Sequence, residues 1–265
     1  MNDLWQVVLL GVVEGITEFL PISSTGHLLI AEKLGLGARS DVFNVVIQAG
    51  AILAVTVIYW RHLWRLATNL HRPENRDYVF KLAAAFLVTA IGGLIITKLG
   101  FKLPEAITPV AWALIIGGVW MIAAEQVAAK KAESARITWT VAIVVGLAQL
   151  VAAIFPGTSR SAATIFAAML LGTNNRPAAT EFAFLVGIPT MYAASAKLLF
   201  DVLKHGGAGS ENWSDLGIAF IVSTITAFIA VKWLLRYIQS HRFTPFAIYR
   251  IVIGAALLLL LPAGA

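Results

Sequence analysis

Residues 4–30 read LWQVVLLGVVEGITEFLPISSTGHLLI, an apolar run that a short polar segment interrupts before the run resumes. Residues 137–171 have the same organisation, with the break PGTSRS at residues 156–161. Each stretch is a helix-length apolar run, a break and a shorter apolar run. Broken backbone at membrane depth is tolerated only where it is buried in protein or lines a cavity. We therefore expect each stretch to form a re-entrant helical hairpin.

The composition of the whole chain is typical of a membrane protein. Of the 265 residues, 59% are hydrophobic and only 13% are charged, and the mean hydropathy is +0.82. A soluble domain carries about 25% charged residues, so a soluble globule is excluded, and so is a disordered chain. The net charge of +6 is explained by basic cytoplasmic loops, and nucleic acid is not expected as a partner. The absence of Cys excludes disulfides and Cys-ligated metals.

Six further apolar segments are uninterrupted and long enough to cross a hydrocarbon core about 30 Å thick. They are residues 42–60, 78–99, 107–127, 182–203, 216–235 and 246–261. The sequence therefore predicts an all-α polytopic membrane protein with six transmembrane helices and two re-entrant helical hairpins.

The two interrupted stretches align with each other without a gap. Glu14 falls opposite Gln149 and Ser24 falls opposite Ser159 in this register. Paired interrupted segments in the two halves of a membrane protein indicate an internal repeat with the binding site between the breaks.

Loop charge indicates that the repeat has inverted topology. If each broken stretch returns to the side from which it came, the loops of one face carry twice as many Lys and Arg residues as those of the other. The basic face holds loops 61–77, 129–136, 172–180 and 236–245, and the opposite face holds loops 31–41, 98–106 and 204–215. The basic face is expected to be cytoplasmic, which places both termini outside. We expect a single membrane domain over residues 1–265, with repeat halves of about 1–128 and 129–265.

Two carboxylates lie within the first apolar run. Glu14 and Glu18 are four residues apart and share one helix face. A carboxylate at the centre of a membrane helix costs roughly 2.5–3.5 kcal/mol on insertion scales. We therefore expect the pair to hold a cation, a proton or a basic partner, although an interfacial location is the plainer alternative.

The first break supplies hydroxyl groups and an imidazole in Ser23, Ser24, Thr25 and His27. Exposed N–H groups and hydroxyls at the start of a helix form an anion site. Ser23 or Ser24 is a candidate nucleophile, and His27 is a candidate acid or base. The alternative is an ordinary helix cap.

The second break supplies Ser159, Arg160, Ser161 and Thr164. A guanidinium at this depth needs an anion, and its planar fork suits phosphate. A salt bridge from Arg160 to Glu14 or Glu18 is the alternative, and both roles are compatible. Gln48, within an apolar span, is a further candidate for the site or for a hydrogen bond between helices.

The remaining charged residues of the apolar segments are interpreted as anchors. Arg250 is expected to lie near a span end, from which its long side chain reaches the interface, and Lys197 is expected to reach an interface as well.

The two breaks belong to longer motifs. The run EGITEFLPISSTGH at residues 14–27 resembles the first signature of the bacterial undecaprenyl-pyrophosphate phosphatases, the bacitracin-resistance family. The run PGTSRSAAT at residues 156–164 resembles the second, although Ala162 stands where a glycine is expected. The resemblance extends over the chain through VVIQ at residues 45–48 and PFAIYR at residues 245–250. Asn44, which precedes VVIQ, stands in place of the glutamate of some relatives.

The resemblance implies a bacterial inner-membrane, multi-pass enzyme that converts undecaprenyl pyrophosphate to the monophosphate lipid carrier for cell-wall synthesis. It implies a divalent cation, Mg²⁺ or Ca²⁺, which we assign to Glu14 and Glu18. It also implies catalytic roles for five residues, namely Glu14, Glu18, Ser24, His27 and Arg160. Phosphate binding is expected from Ser23, Thr25, Gln48, Ser159, Arg160, Ser161 and Thr164.

The expected partners are the polyprenyl pyrophosphate substrate and membrane lipids, with a homodimer left open. The alternative function is a secondary transporter or flippase for a polyprenyl phosphate or another anion, because inverted repeats that meet at broken helices are also transporter architecture.

Overall fold

A computed structural model describes residues 4–37, 39–100, 106–204 and 212–260 of the chain. All the regular secondary structure within these ranges is helical. The helices are α1 (Leu4–Thr17), α2 (Ser24–Ala31), α3 (Asp41–Ile58), α4 (Trp60–Thr68), α5 (Pro73–Lys98), α6 (Ile107–Ala129), α7 (Trp139–Ile154), α8 (Arg160–Leu171), α9 (Arg176–Lys204), α10 (Trp213–Tyr237) and α11 (Thr244–Leu260). A short π-helical turn, Glu32–Leu36, extends α2.

Five of the helices are long and apolar enough to cross a membrane, namely α3, α5, α6, α9 and α10. They correspond to five of the six predicted spans, and the chain is a polytopic helical membrane protein. The sixth predicted span corresponds to α11, which has 17 residues, so its crossing stays a prediction. The first predicted loop on the basic face, residues 61–77, contains the additional helix α4.

Large apolar side chains on the long helices face outward. Ile91 of α5, Ile116 of α6 and Ile229 of α10 are all more than half exposed. In a soluble protein a large exposed apolar surface would be a liability. Here it is the surface that lipid would cover.

Small residues allow α1 and α7 to pack closely against long helices. A Cβ atom on Gly11 of α1 would lie 2.9 Å from the carbonyl oxygen of Ala219 in α10, and one on Gly146 of α7 would lie 2.7 Å from that of Ala85 in α5. These distances leave no room for a side chain. Close approach through small residues is how membrane helices associate, because lipid removes the hydrophobic driving force between them.

The two breaks have the same backbone geometry. Ser23 and Ser159 have φ angles of 76° and 67°, in the left-handed region that non-glycine residues rarely adopt. Each caps the helix that follows, since the Oγ of Ser23 accepts from the N–H of Gly26 and the Oγ of Ser159 accepts from that of Ala162, both at 3.3 Å.

An alignment of the two breaks on these caps differs by one residue from the ungapped register. Ser159 then falls opposite Ser23, and Arg160 rather than Ser159 falls opposite Ser24. The second break is one residue longer, and it contains Gly157 at a φ of 90°, which accommodates the extra residue.

Candidate active site

A cavity of about 670 Å³ brings the two breaks together. It is bounded by both breaks and by residues of α3, α5, α7 and α9. The predicted site residues that line it are Glu18, Ser23, Ser24, Thr25, Gln48, Ser159 and Arg160. These residues come from distant parts of the sequence. The cavity therefore brings phosphate ligands predicted in the first break, Ser23 and Thr25, together with Ser159 and Arg160 of the second.

Glu18 joins the two breaks. One of its carboxylate oxygens, Oε2, accepts a hydrogen bond from the hydroxyl of Ser24, and Oε1 accepts one from Nη2 of Arg160 at 2.5 Å. The salt bridge that the sequence left as an alternative is therefore present. The Glu18 side chain is 3% exposed and that of Arg160 is 30% exposed, so the guanidinium has donors left that face the cavity.

Ser24 and Arg160 are each the first residue of a helix, α2 and α8 respectively. Backbone N–H groups in the first turn of a helix have no acceptor within the helix and favour an anion. The left-handed caps Ser23 and Ser159 turn the chain so that both helices begin at the cavity wall. The site therefore combines a carboxylate, a hydroxyl, a guanidinium and two helix N-termini.

Glu14 lies behind this group. It is fully buried, does not line the cavity, and neither carboxylate oxygen has a hydrogen-bond partner among the described residues. Its counterpart Gln149 does line the cavity and donates to the Oγ1 of Thr89 at 3.1 Å.

The residues present fit a divalent cation that the substrate helps to hold. No cluster of three or more His, Cys, Asp or Glu side chains occurs in the described ranges. Mg²⁺ is commonly bound by one or two carboxylates together with water and substrate phosphates. The unpartnered carboxylate of Glu14, one helical turn before Glu18, is consistent with such a site.

His27 lies outside the cavity lining. Its Nδ1 is 2.7 Å from the carbonyl oxygen of Ser23, and its Nε2 is 2.7 Å from the hydroxyl of Tyr249. A carbonyl only accepts, so Nδ1 donates to it, and in the neutral ring Nε2 accepts from Tyr249. Both ring nitrogens are therefore engaged, and the group in contact with the Ser24 hydroxyl is Glu18.

Ser161 and Thr164 are also outside the cavity lining. The hydroxyl of Ser161 donates to the carbonyl oxygen of Leu20 at 3.0 Å, and that of Thr164 donates to the carbonyl oxygen of Arg160 at 2.8 Å. Ser161 thus ties the second break to the first, and Thr164 bonds within α8. The departure at Ala162 likewise lies away from the cavity, where that residue is buried.

The two residues that the sequence analysis interpreted as anchors differ in their surroundings. Lys197 is exposed and also lines the cavity, on the face of α9 that carries Thr190 and Ala194. The interpretation of Arg250 was wrong. Its side chain is fully buried and binds backbone carbonyl oxygens instead of reaching the interface.

The fold and the cavity together define a multi-pass helical membrane protein with a polar cavity between its two breaks. Comparison with known families identifies the family of this chain. The family model described as "Bacitracin resistance protein BacA" matches residues 7–256. The chain belongs to this family.

Among similar proteins, one from Rhizobium etli (strain CIAT 652) is 68% identical over 262 residues, with 99% of this chain and 98% of the relative covered. Another from Xanthomonas oryzae pv. oryzae (strain PXO99A) is 63% identical over 265 residues, with both chains covered completely. Both relatives bear the name undecaprenyl-diphosphatase.

Proposed function

We propose that this protein is an undecaprenyl-diphosphatase, which hydrolyses undecaprenyl pyrophosphate to undecaprenyl phosphate and inorganic phosphate. The observation that carries the proposal is the contact of Glu18 with both Ser24 and Arg160 at the wall of one cavity. The names of the relatives support the same substrate. The reaction recycles the lipid carrier of peptidoglycan synthesis and accounts for bacitracin resistance.

Binding of the pyrophosphate is assigned to the second break and to the start of both helices. The free donors of Arg160 and the N–H groups at the start of α2 and α8 hold the terminal phosphate. Thr25, Gln48 and Ser159 supply further polar contacts along the cavity wall. Donors fixed in this way stabilise the charge of a phosphoryl group during its transfer.

Ser24 is assigned as the nucleophile and Glu18 as the base. The Ser24 oxygen forms a bond to the terminal phosphorus as its proton passes to Glu18, and the bond from that phosphorus to the bridging oxygen breaks, which releases prenyl phosphate. Water then attacks the phosphorus of the phosphoserine, and the bond between phosphorus and the Ser24 oxygen breaks. Glu18 returns its proton to the Ser24 oxygen and accepts one from the attacking water, hydrogen phosphate leaves, and Glu18 releases this proton to solvent.

Glu14 and Glu18 would hold the divalent cation, Mg²⁺ or Ca²⁺. When bound, the cation neutralises charge on the phosphate oxygens. His27 is assigned a positioning role, since it links Ser23 to Tyr249 and so fixes the residue that precedes the nucleophile.

The lipid part of the substrate has an apolar surface next to the cavity. A groove of about 230 Å³ lies between α3 and α9 and is lined by Val42, Val45, Val46, Ala49, Tyr192, Ser195, Ala196, Leu198 and Leu199. Leu198 lines both the groove and the cavity. A prenyl chain in this groove would reach the cavity at Leu198.

The finer architecture belongs to the same proposal. We assign α11 as the sixth span and the two broken stretches as re-entrant hairpins of an inverted-topology repeat, in a single domain of the bacterial inner membrane. The shared geometry of Ser23 and Ser159 supports the repeat. A homodimer is compatible with this arrangement.

The proposal is tested by phosphate release from undecaprenyl pyrophosphate in detergent, where no membrane exists to transport across. We expect release by the wild-type protein and its loss in Ser24→Ala, with Ser214→Ala, an exposed residue at the start of α10, as the matched control. Well-folded wild-type protein that binds the substrate without releasing phosphate would favour the transporter or flippase instead.

A rapid-quench experiment separates the two chemical routes. Substrate labelled in its terminal phosphate should leave label on Ser24 if the phosphoserine forms. Turnover without labelled protein at any quench time would mean that water attacks directly and that Ser24 only binds phosphate.

A further inference from the structure

Arg250 of α11 is a fully buried cation that binds backbone atoms. Its guanidinium donates to five carbonyl oxygens, those of Thr158 and Gly157 at 3.0 Å, Ala113 at 3.1 Å, and Pro21 and Leu114 at 3.4 Å. Pro21 belongs to the first break, Gly157 and Thr158 belong to the second, and the other two carbonyls belong to α6. No carboxylate in the described ranges forms a salt bridge with it. One side chain thus joins both breaks to α6.

Helix α6 has a glycine where it packs against this guanidinium. A Cβ atom on Gly117 of α6 would lie 2.2 Å from Nη2 of Arg250. Any side chain at position 117 would therefore displace the guanidinium. The residue before Arg250, Tyr249, contacts the first break through His27.

Burial of a cation without a carboxylate partner costs free energy, because the charge must be removed from water. The contacts of Arg250 with carbonyl oxygens also determine which way a peptide N–H at the cavity wall points. In a trans peptide the C=O and N–H groups point in opposite directions. The carbonyl of Thr158 points at Arg250, so the N–H of Ser159 points away from Arg250, and Ser159 lines the cavity.

The N–H of Ser159 has no acceptor among the described residues. A cation on the carbonyl side of a peptide polarises it and strengthens its N–H as a donor, and this effect is large where the local dielectric is low. A bound phosphate would supply both the acceptor for this N–H and the counter-charge for Arg250.

We propose that Arg250 is a positioning residue for the phosphatase reaction. It fixes the two breaks relative to each other and orients the N–H of Ser159 toward the pyrophosphate. This inference rests on the proposed function, because it explains how Arg250 holds the phosphate-binding residues of that site in position.

The test compares Arg250→Lys, Gly117→Ala and the double variant in detergent. Lys retains the charge but cannot reach five carbonyls, and Ala at position 117 moves the guanidinium without altering its charge. We expect each single variant to lower kcat at least about tenfold, as misplacement of about 1 Å can cost a hundredfold. We expect the double variant to match Arg250→Lys, because the shorter side chain leaves room for the Cβ at position 117 and the two changes remove the same contact.

Two control variants separate positioning from loss of structure. Arg176→Lys weakens the contact of a partly buried arginine, the 2.7 Å pair with Glu125, and Gly217→Ala adds a Cβ with nothing within 4 Å. Both should retain kcat, although Arg176→Lys should lower the unfolding temperature. Equal kcat per folded molecule in Arg250→Lys and Arg176→Lys would overturn the proposal. If Arg250→Lys does not fold, Gly117→Ala decides alone.

A second readout does not depend on turnover. Inorganic pyrophosphate should raise the unfolding temperature of the wild-type protein, and this rise should shrink in Arg250→Lys and Gly117→Ala. An unchanged rise in both variants would contradict the positioning role. If the wild-type protein releases no phosphate, the proposed function fails, whereas this shift still tests Arg250.

Discussion

Replacement of Glu14 by Gln should stabilise the protein and impair its reaction. Glu14 is fully buried and has no hydrogen-bond partner in the described part of the chain. A carboxyl group at this depth costs roughly 2.5–3.5 kcal/mol on insertion scales. At about 2–4 °C per kcal/mol for a chain of this size, removal of this group in chelator should raise the unfolding temperature by roughly 5–14 °C.

The cation response gives the second arm of this experiment. A ligand at one hundred times its Kd stabilises the folded state by about 2.7 kcal/mol. Mg²⁺ should therefore raise the unfolding temperature of the wild-type protein, and Glu14→Gln should lose both this rise and most phosphate release. Differential scanning fluorimetry in detergent, with EDTA and then with a Mg²⁺ series, measures both effects.

The chain offers a matched control at the equivalent position of the other half. Gln149→Glu places a carboxylate beside Thr89 and should lower the unfolding temperature in chelator. If Glu14→Gln is less stable than the wild-type protein in EDTA, or if it keeps the full Mg²⁺ response, the assignment of Glu14 to the cation is refuted.

Three further predictions concern the anion, the hairpin and the lipid. Arg160→Lys should slow phosphate release at least about tenfold, because loss of one charge-assisted hydrogen bond costs roughly 1.5–3 kcal/mol; unchanged kcat/KM would contradict its role. His27→Gln and Tyr249→Phe interrupt the same link and should cause similar losses of kcat, whereas loss of activity in His27→Gln alone would restore His27 as the acid or base. Ala196→Leu, which fills the apolar groove, should raise KM for a long prenyl pyrophosphate more than for a short one, and equal changes in both KM values would place the lipid elsewhere.

The sequence was sufficient to predict the long apolar helices and the two breaks, because both depend on local patterns. Uninterrupted apolar runs gave the bounds of α3, α5, α6, α9 and α10 to within six residues. Pro and Gly marked the ends of α1 and α7, and the Ser residues that follow cap α2 and α8. Capping depends on a side chain and the backbone three residues later, so sequence proximity is enough to reveal it.

The sequence was insufficient where contacts join distant parts of the chain. Nothing local distinguishes a fully buried Arg250 from an arginine that reaches the interface, since its five carbonyl partners come from three other segments. The same reason explains His27, whose partner Tyr249 lies 222 residues away. The ungapped register of the two breaks misses the match between their caps for another reason, because one extra residue in the second break is hidden by the Ser residues on both sides of it.

The central claim, that the two breaks form one reacting site, is tested most directly by a double-mutant cycle of kcat/KM between Ser24→Ala and Arg160→Ala. Residues that act as a unit in catalysis are strongly non-additive. The account predicts that each single variant loses nearly all activity above the uncatalysed rate and that the double variant is no slower than the slower single one. Losses that multiply in the double variant would mean that Ser24 and Arg160 act independently, and would contradict a single site built from both halves of the chain.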